Sequence, residues 1–91
     1  MDFIHEPNKI FMNDDNNHMV AVVTFPKAGE NMVNIDHTYV DSSLRGHGIA
    51  GKLMEEAVNQ LRDHNLKAKT TCSYAAKWFE EHPEYSDVLA K

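Results

Sequence analysis

The sequence predicts an α+β domain in which a mostly antiparallel sheet is followed by a helix after its central strand and by a second, C-terminal helix. Three observations support this prediction. Extended, β-branched runs fill the first 40 residues, an amphipathic helix follows a glycine-rich turn, and a further strand and helix close the chain. A chain of 91 residues favours one domain, expected over residues 1–91, with a small core.

Three extended runs precede the turn, at residues 9–12, 19–25 and 32–40. Asn and Asp fill residues 13–17, and these side chains favour turns because they bond to their own backbone and tolerate left-handed conformations. Residues 26–31 contain Pro and Gly and separate the second run from the third. Short connections between successive strands predict an antiparallel meander.

The alternation of side chains in the third run, residues 32–40, predicts which of them share a face of the sheet. Successive side chains of a strand point to opposite faces of the sheet. Val33, Ile35, His37 and Tyr39 are therefore expected to share one face of a single strand over residues 32–40. This face would bring His37 beside the core or beside a bound cofactor.

The helix after the turn has the most regular pattern in the sequence. Ile49, Leu53, Ala57 and Leu61 recur at intervals of four, which predicts one apolar helix face. Asn65 is a suitable left-handed residue for its C-terminal end. At 1.5 Å per residue the helix is roughly 25 Å long, so it can cover a small sheet.

The chain closes with a strand and a helix. Residues 66–72 indicate a strand, and a helix is expected to start at Ser73 or Tyr74. Pro83 ends this helix, because the residue before a proline is pushed out of helical conformation. Beyond it, three apolar residues are expected to pack back on the core: Tyr85, Val88 and Leu89.

A glycine-rich turn over residues 45–52 joins the third run to the first helix. The first amides of a helix have no partners within the helix, and the helix dipole adds partial positive charge to them. Glycine lets an anion approach the backbone because it has no Cβ. The turn is therefore predicted to bind the pyrophosphate of a nucleotide-like cofactor.

The order Arg45-Gly46-His47-Gly48-Ile49-Ala50 fits the pattern (Gln/Arg)-x-x-Gly-x-(Gly/Ala). His37-Thr38-Tyr39-Val40 precedes this turn, and three further motifs follow it: Cys72-Ser73-Tyr74, Trp78-Phe79 and His82-Pro83-Glu84-Tyr85. Together these motifs resemble the compact single-domain branch of the GNAT-type N-acetyltransferases, over about residues 19–89.

The resemblance implies a cofactor, acetyl-CoA, and a way of binding it. In that family the backbone at the positions of Tyr39 and Val40 pairs with the pantetheine arm as an added strand. The side chain of Arg45 or Lys52 would reach an outer phosphate. The backbone of the turn would hold the pyrophosphate at Arg45, Gly46, His47, Gly48, Ile49, Ala50, Gly51 and Lys52. The implied activity is transfer of an acetyl group from coenzyme A to a small amine or a lysine side chain.

Residues 46–51 also match the dinucleotide fingerprint G-x-G-x-x-G. That fingerprint requires an acidic residue about 20 positions further on. The corresponding region, residues 66–70, has no carboxylate. The single strand and helix after the turn also leave no room for a doubly wound sheet, so the dinucleotide interpretation is the weaker one.

Three residues are candidates for chemistry: Cys72, Tyr74 and His37. Cys72 is expected next to the cofactor strand, where its thiol would accept an acetyl group, donate a proton or only pack in the core. Tyr74 is a second candidate proton donor to the leaving thiolate, or a packed aromatic residue. His37 is a candidate base, since imidazole titrates near neutral pH.

Charge and composition bear on other classes of function. A net charge of −5 argues against nucleic acid and favours a cationic acceptor, such as an amine or a basic peptide. The six histidines have no cysteine companions at zinc spacing, so no metal is expected. The sequence has no apolar run long enough for a membrane span, and one cysteine without a signal peptide favours a cytoplasmic protein.

Two functions remain open at the level of the sequence. One is an N-acetyltransferase, and the other is a module that binds CoA or acyl-CoA without efficient turnover. A plain interaction domain would leave the glycine turn unexplained. The acceptor and the oligomeric state have no signal in the sequence.

Overall fold

The computed structural model describes residues 2–90, so Met1 and Lys91 of the predicted 1–91 domain lie outside the described residues. The described chain is an α+β fold with two main helices, as predicted. The strands are β1 Phe3–Glu6, β2 Lys9–Asn13, β3 Met19–Thr24, β4 Lys27–Gly29, β5 Met32–Ile35, β6 His37–Val40 and β7 Lys67–Thr70. The helices are α1 Ile49–Asp63 and α2 Ser73–Glu81, with 3-10 segments at Ser42–Leu44 and Pro83–Val88.

The strands form two sheets. In the first sheet the order is β1-β2-β3-β6, and every neighbouring pair is antiparallel. In the second sheet β4 pairs antiparallel with β5, and β5 pairs parallel with β7. The turn predicted at residues 13–17 lies between β2 and β3, with Asn17 in a left-handed conformation at φ 62°. The predicted antiparallel meander is therefore right for β2, β3 and β6.

The prediction of a single strand over residues 32–40 is wrong. β5 and β6 are consecutive in the chain but belong to different sheets, and Asp36 lies between them. The Ile35 carbonyl accepts a hydrogen bond from the Cys72 amide at 3.2 Å, on the side of the second sheet. One residue later, the Asp36 amide donates to the Thr24 carbonyl at 3.2 Å, in the first sheet.

This change of sheet also changes which side chains face the core. Val33 and Ile35 are buried in β5, whereas His37 and Tyr39 are exposed in β6. The period of two fails across Asp36 because an irregularity of one residue moves every later side chain to the other face. The shared face predicted for these four side chains therefore ends at Ile35.

A second difference concerns residues 26–31, which the sequence predicts as a break between strands. Lys27–Gly29 forms the short strand β4, which pairs with β5. Alanine and glycine have low strand propensity, so β4 depends on the neighbouring strand and not on its own residues. Its register with β5 is irregular between Lys27 and Gly29.

Helix α1 packs across the first sheet and supplies much of the core. Its buried residues include three of the four predicted positions and are Leu53, Met54, Ala57, Val58 and Leu61. At the end of α1, Asn65 has φ 55°. The amides of Asn65 and Leu66 donate to the carbonyls of Arg62 and Leu61 at 3.2 and 2.9 Å. These bonds satisfy carbonyls at the helix end and confirm the predicted left-handed cap.

The segment Pro83–Val88 is hydrogen-bonded to the end of α1. Arg62 Nε and Nη2 donate to the two carboxylate oxygens of Asp87 at 3.0 and 2.6 Å. These hydrogen bonds from the Arg62 guanidinium lower the pKa of Asp87. The residues predicted to pack back on the core do so: Tyr85, Val88 and Leu89.

We expect Asp87→Asn to lower the melting temperature at pH 7 by a few degrees, because it removes the charge that Arg62 binds. The folded-state pKa of Asp87 is depressed, so its contribution is present above the pKa of the unfolded chain. That contribution is lost as the pH falls through the depressed pKa. Thermal unfolding of both proteins across the acid range should therefore show their difference vanishing in acid.

The matched control is Glu55→Gln, because Glu55 is exposed on α1 and has no ion pair within residues 2–90. An equal decrease in both variants, or a difference for Asp87→Asn that persists in strong acid, would contradict the assigned role of the pair.

Candidate functional site

The two sheets separate at an opening between β6 and the start of α2. The amides of Thr71 and Cys72 both donate to the Ile35 carbonyl, at 3.1 and 3.2 Å. Beyond Ile35 the chain joins the first sheet as β6, whereas the chain after β7 turns into α2. Across this opening the Cys72 thiol donates to Thr38 Oγ1 at 3.6 Å. The opening is therefore lined by β6 of the first sheet and by the chain that follows β7 of the second sheet.

β6 is an edge strand of the first sheet, and part of its backbone faces the opening. The Asp41 amide donates to the Val20 carbonyl at 2.7 Å, so the backbone groups of Asp41 face β3. Backbone N–H and C=O groups alternate in direction along an antiparallel strand. The backbone groups of Tyr39 therefore face β3, and those of Thr38 and Val40 face the opening. The backbone groups that β3 leaves unpaired are those of Thr38 and Val40, and of these the Val40 carbonyl accepts a hydrogen bond from Arg45 Nε. The sequence predicts the cofactor-binding edge at Tyr39 and Val40 instead.

Asp41 organises the chain between β6 and the glycine turn. It caps the 3-10 segment Ser42–Leu44, and its carboxylate accepts hydrogen bonds from Ser43 N at 3.0 Å and Ser43 Oγ at 2.6 Å. These bonds, with a longer one from the Tyr39 hydroxyl, lower the pKa of Asp41. Sequence reasoning missed Asp41, although an aspartate followed by Ser-Ser is the signal of a capped turn.

Two glycines of the turn have backbone conformations that other residues rarely adopt. Gly46 has φ 86° and Gly48 has φ 73°, both left-handed. A Cβ at either position would have no heavy atom within 4 Å, so the backbone conformation, and not crowding, requires glycine. Gly48 is also the N-cap of α1 and makes no side-chain capping bond. The first amides of α1 are therefore available to an anion.

The turn lines one side of a cavity of about 210 Å³ at the opening. Val40 of β6 and Tyr74 of α2 also line this cavity. The two predicted turn residues that do not line it, His47 and Lys52, are exposed. The other six of the eight do line it: Arg45, Gly46, Gly48, Ile49, Ala50 and Gly51. The structure thus gathers the turn, one strand edge and α2 around a single concavity.

Two residues of the turn also make contacts within the protein. A Cβ on Gly51 would lie 3.7 Å from Trp78 Nε1, so this glycine faces α2 and allows α1 to approach it. Arg45 Nε donates to the Val40 carbonyl at 3.3 Å. This bond holds the Arg45 side chain against β6, beside the cavity that Arg45 lines.

The structure brings Cys72 and Tyr74 to the opening and turns His37 away from it. Cys72 is half-buried and is the N-cap of α2. Tyr74 is 39% exposed, and its partial burial, followed by the charges of Glu81 and Cys72, raises the pKa of its hydroxyl. The hydroxyl is therefore protonated at neutral pH. His37 is exposed on the face of β6 opposite Thr38, so it does not join the other two candidates.

The rest of the described chain has a larger cavity away from the opening. This cavity, of about 540 Å³, lies at the other end of α1, where Leu61 and His64 line it, and no predicted site residue does. No group of three His, Cys, Asp or Glu side chains within residues 2–90 is placed to hold a metal ion. Over those residues, no helix combines the length and the hydropathy needed to cross a membrane.

Comparison with known proteins identifies the fold. A GCN5-like protein from Staphylococcus aureus, solved by NMR, matches this structure with a TM-score of 0.81 at 35% identity. The match covers 98% of this chain and 87% of the other. The fold is therefore the one used by GCN5-like acetyltransferases. The sequence model of the GCN5-related N-acetyl-transferase family matches residues 9–88, and the chain belongs to that family.

More distant structures share the fold alone. GCN5 from Tetrahymena matches with a TM-score of 0.67 at 12% identity, over 91% of this chain and 59% of the other. Rv2747 from Mycobacterium tuberculosis, solved in complex with CoA, matches with a TM-score of 0.66 at 16% identity, over 84% and 47%.

Curated relatives agree with the family assignment. Protein NATD1 of Gallus gallus and of Mus musculus are each 36% identical to this chain over 66 residues. The aligned region covers 72% of this chain and 60% of each relative. The chain therefore spans about 60% of the length of the curated relatives that it matches.

We expect Asp41→Ala to loosen the segment Ser42–Leu44 while α1 stays folded, because the substitution removes the acceptor of both Ser43 bonds. Amide hydrogen exchange at Ser43 should accelerate by about fivefold or more, as for the loss of a helix cap. Exchange at Leu53, in the buried part of α1, should not change.

Asp14→Ala is the matched control, because Asp14 accepts hydrogen bonds from the amides of Asn16 and His18 in a distant turn. Its effect should stay near that turn. Unchanged exchange at Ser43 in Asp41→Ala would contradict the capping role.

Proposed function

We propose that this protein transfers an acetyl group from acetyl-CoA to an amine, either of a small molecule or of a lysine side chain. The observation that carries the proposal is the meeting of a strand edge, at Thr38 and Val40, that no other strand of residues 2–90 pairs, with a glycine turn at a helix N-terminus. Membership of the family supports it, as does the fold shared with Rv2747, which was solved with CoA.

The glycine turn would bind the pyrophosphate of CoA. The amides at the start of α1 have no side-chain cap, and they follow Gly46 and Gly48, whose missing Cβ atoms leave open space. A diphosphate would supply the hydrogen-bond acceptors and the negative charge that this helix end lacks. The exposed side chains of Arg45 and Lys52 would pair with outer phosphate oxygens.

The pantetheine arm would lie along the open edge of β6 as an added strand. Its amide groups would pair with the backbone of Val40 and Thr38, which β3 leaves unpaired. This path runs from the cavity at the turn toward the contact between Thr38 and Cys72. The thioester would therefore come close to Cys72 and Tyr74.

Tyr74 and Cys72 would carry the chemistry. The acceptor must react as a neutral amine, although a lysine-like amine has a pKa of about 10.4. The leaving thiolate of CoA gains from a proton, and Tyr74, whose hydroxyl is protonated, lines the cavity. Cys72 would either accept the acetyl group transiently or donate a proton. Holding the amine against the thioester would itself lower the barrier by roughly several kcal/mol.

A second function is favoured by the position of His37. This candidate base projects from the exposed face of β6, away from Cys72 and Tyr74. An opening without a base would bind acetyl-CoA or acyl-CoA and turn it over slowly, if at all. In this alternative the protein is a CoA-binding module, and the glycine turn keeps the same role.

The net charge of −5 favours a cationic acceptor through electrostatic steering. A basic peptide and a small amine both meet this condition. A cytoplasmic location belongs to the same proposal, because a reducing compartment keeps the single thiol of Cys72 free.

The test is a titration with acetyl-CoA followed by amide chemical shifts, with NADH as the control. Shifts centred on Val40 and residues 45–52 with acetyl-CoA alone would support the proposed site. CoA release on addition of an amine would then separate the enzyme from the binding module. No response to acetyl-CoA would overturn both functions.

The double substitution Gly46→Ala and Gly48→Ala is expected to abolish acetyl-CoA binding, because L residues are strained at positive φ and the turn would change shape. Stability should fall by about 2–4 kcal/mol, the sum of two left-handed penalties. Isothermal titration and chemical unfolding measure the two effects.

Gly29→Ala is the matched control, since its Cβ would make ordinary contacts of 3.5 Å or more with Met32. It should bind as the wild type does. Unchanged binding in the double variant would remove the pyrophosphate from this turn.

Tyr74→Phe is expected to lower kcat by about a hundredfold with little change in KM, because it removes a proton donor and keeps the ring. Steady-state kinetics with a fixed amine measures both constants. Tyr85→Phe is the control, because Tyr85 stacks near Trp78 and Arg62, away from the cavity. Equal kcat in Tyr74→Phe and wild type would exclude Tyr74 as the donor.

A further inference from the structure

We propose that Thr38 is a positioning residue that holds the Cys72 thiol against the acetyl group, an inference that rests on the function proposed above. The Cys72 thiol donates to Thr38 Oγ1 at 3.6 Å, and both side chains are half-buried at the opening. The backbone of Thr38 also lies on the unpaired edge of β6. One residue would thus contact both the acyl arm and the nucleophile.

The backbone fixes the two side chains in place. On one side, Thr38 lies opposite Val23 of β3 in the regular part of the first sheet. On the other side, the Cys72 amide donates to the Ile35 carbonyl at 3.2 Å, and Cys72 caps α2. Thr71, just before it, exchanges hydrogen bonds with the Asn34 amide group at 3.0 and 3.2 Å. The distance between thiol and hydroxyl is therefore set by the two sheets.

A hydroxyl suits this position because it both accepts and donates. It accepts a hydrogen bond from the thiol in the resting protein. When the thiol loses its proton, the hydroxyl rotates and donates to the thiolate, which stabilises the charged form. A valine in the same place fills the same volume and can do neither.

The step that Thr38 serves is transfer of the acetyl group to Cys72. The sulfur of Cys72 forms a bond to the thioester carbonyl carbon, and the bond from that carbon to the CoA sulfur breaks. The electron pair of the broken bond stays on the CoA sulfur, which takes a proton from the Tyr74 hydroxyl, and Tyr74 recovers the proton that Cys72 has lost. A neutral amine then attacks the S-acetyl group, and the Cys72 thiol is restored when it takes the proton from the amine.

Tyr74, His37 and Lys69 are titratable groups on the elements around this thiol. Tyr74 on α2 interacts with Cys72 electrostatically. His37 on β6 and Lys69 on β7 are exposed, and both lie on faces that the alternation turns away from Thr38 or Cys72. A change in thiol reactivity after substitution of Thr38 can therefore be assigned to the lost hydroxyl.

The experiment compares Thr38→Val, Thr38→Ser and the control Ser86→Ala with the wild-type chain. Cys72 is the single cysteine, so iodoacetamide alkylation followed by intact mass reports on it alone. We expect the pH profile of the alkylation rate in Thr38→Val to lie below that of the wild type, about tenfold lower at pH 7, because the thiolate has lost a hydrogen-bond donor. Thr38→Ser should restore the wild-type profile. Ser86→Ala should not change it, because the Ser86 hydroxyl donates to the Pro83 carbonyl in the segment Pro83–Val88, away from the opening.

The second measurement follows S-acetylation of Cys72 by acetyl-CoA and the kinetics with an amine. Thr38→Val should lower the rate of S-acetylation about tenfold and reduce kcat with KM for the amine unchanged. An unchanged alkylation profile in Thr38→Val, or a Thr38→Ser profile no closer to wild type, would overturn the proposal. If Thr38→Val does not fold, Thr38→Ala removes the same hydroxyl without adding apolar volume.

The two proposals fail differently. The alkylation profile needs no acetyl-CoA, so it tests the action of Thr38 on the thiol by itself. If the wild-type protein never becomes S-acetylated, the transfer step is overturned. An effect of Thr38 on alkylation would then concern the reactivity of the Cys72 thiol and not acetyl transfer. A wild-type protein that fails to bind acetyl-CoA would overturn the proposed function.

Discussion

At Asp36 the chain passes from the second sheet to the first, and this change of sheet creates the opening at the candidate site. The Asp36 amide bonds to β3, while the carbonyl of Ile35, one residue earlier, bonds to the chain after β7. One run of chain cannot follow both sheets, so the sheets separate and leave an opening along β6. The unpaired edge, the contact of Thr38 with Cys72 and the exposure of His37 all follow from this separation.

The opening becomes a candidate binding site because the chain next enters α1 through two residues at positive φ, Gly46 and Gly48. Asp41 orders the turn before them, and the buried face of α1 fixes the helix against the first sheet. The position of the helix N-terminus is therefore set by core packing. Local charge also favours an anion at the N-terminus of α1. The chain as a whole has a net charge of −5, but the basic residues Arg45 and Lys52 flank the turn.

Much of the fold could be predicted because its signals are local. Residues within a few positions of one another determine three of these features. They are the apolar face of α1, the left-handed residue Asn65 at its end, and the end of α2 before Pro83. The turn and its resemblance to the acetyltransferases are equally local. The split of residues 32–40 could not be predicted, because both halves have strand-forming residues and only the pairing partners differ.

The order of residues is enough to specify the type of most elements, the glycine turn at the start of α1 and the family to which the chain belongs. Which side chains share the opening depends instead on the packing of the two sheets. This packing brought Thr38 to Cys72 across 34 positions of sequence and turned His37 away. The physical reason is that the face of a strand depends on register, and register is set by hydrogen bonds to distant strands.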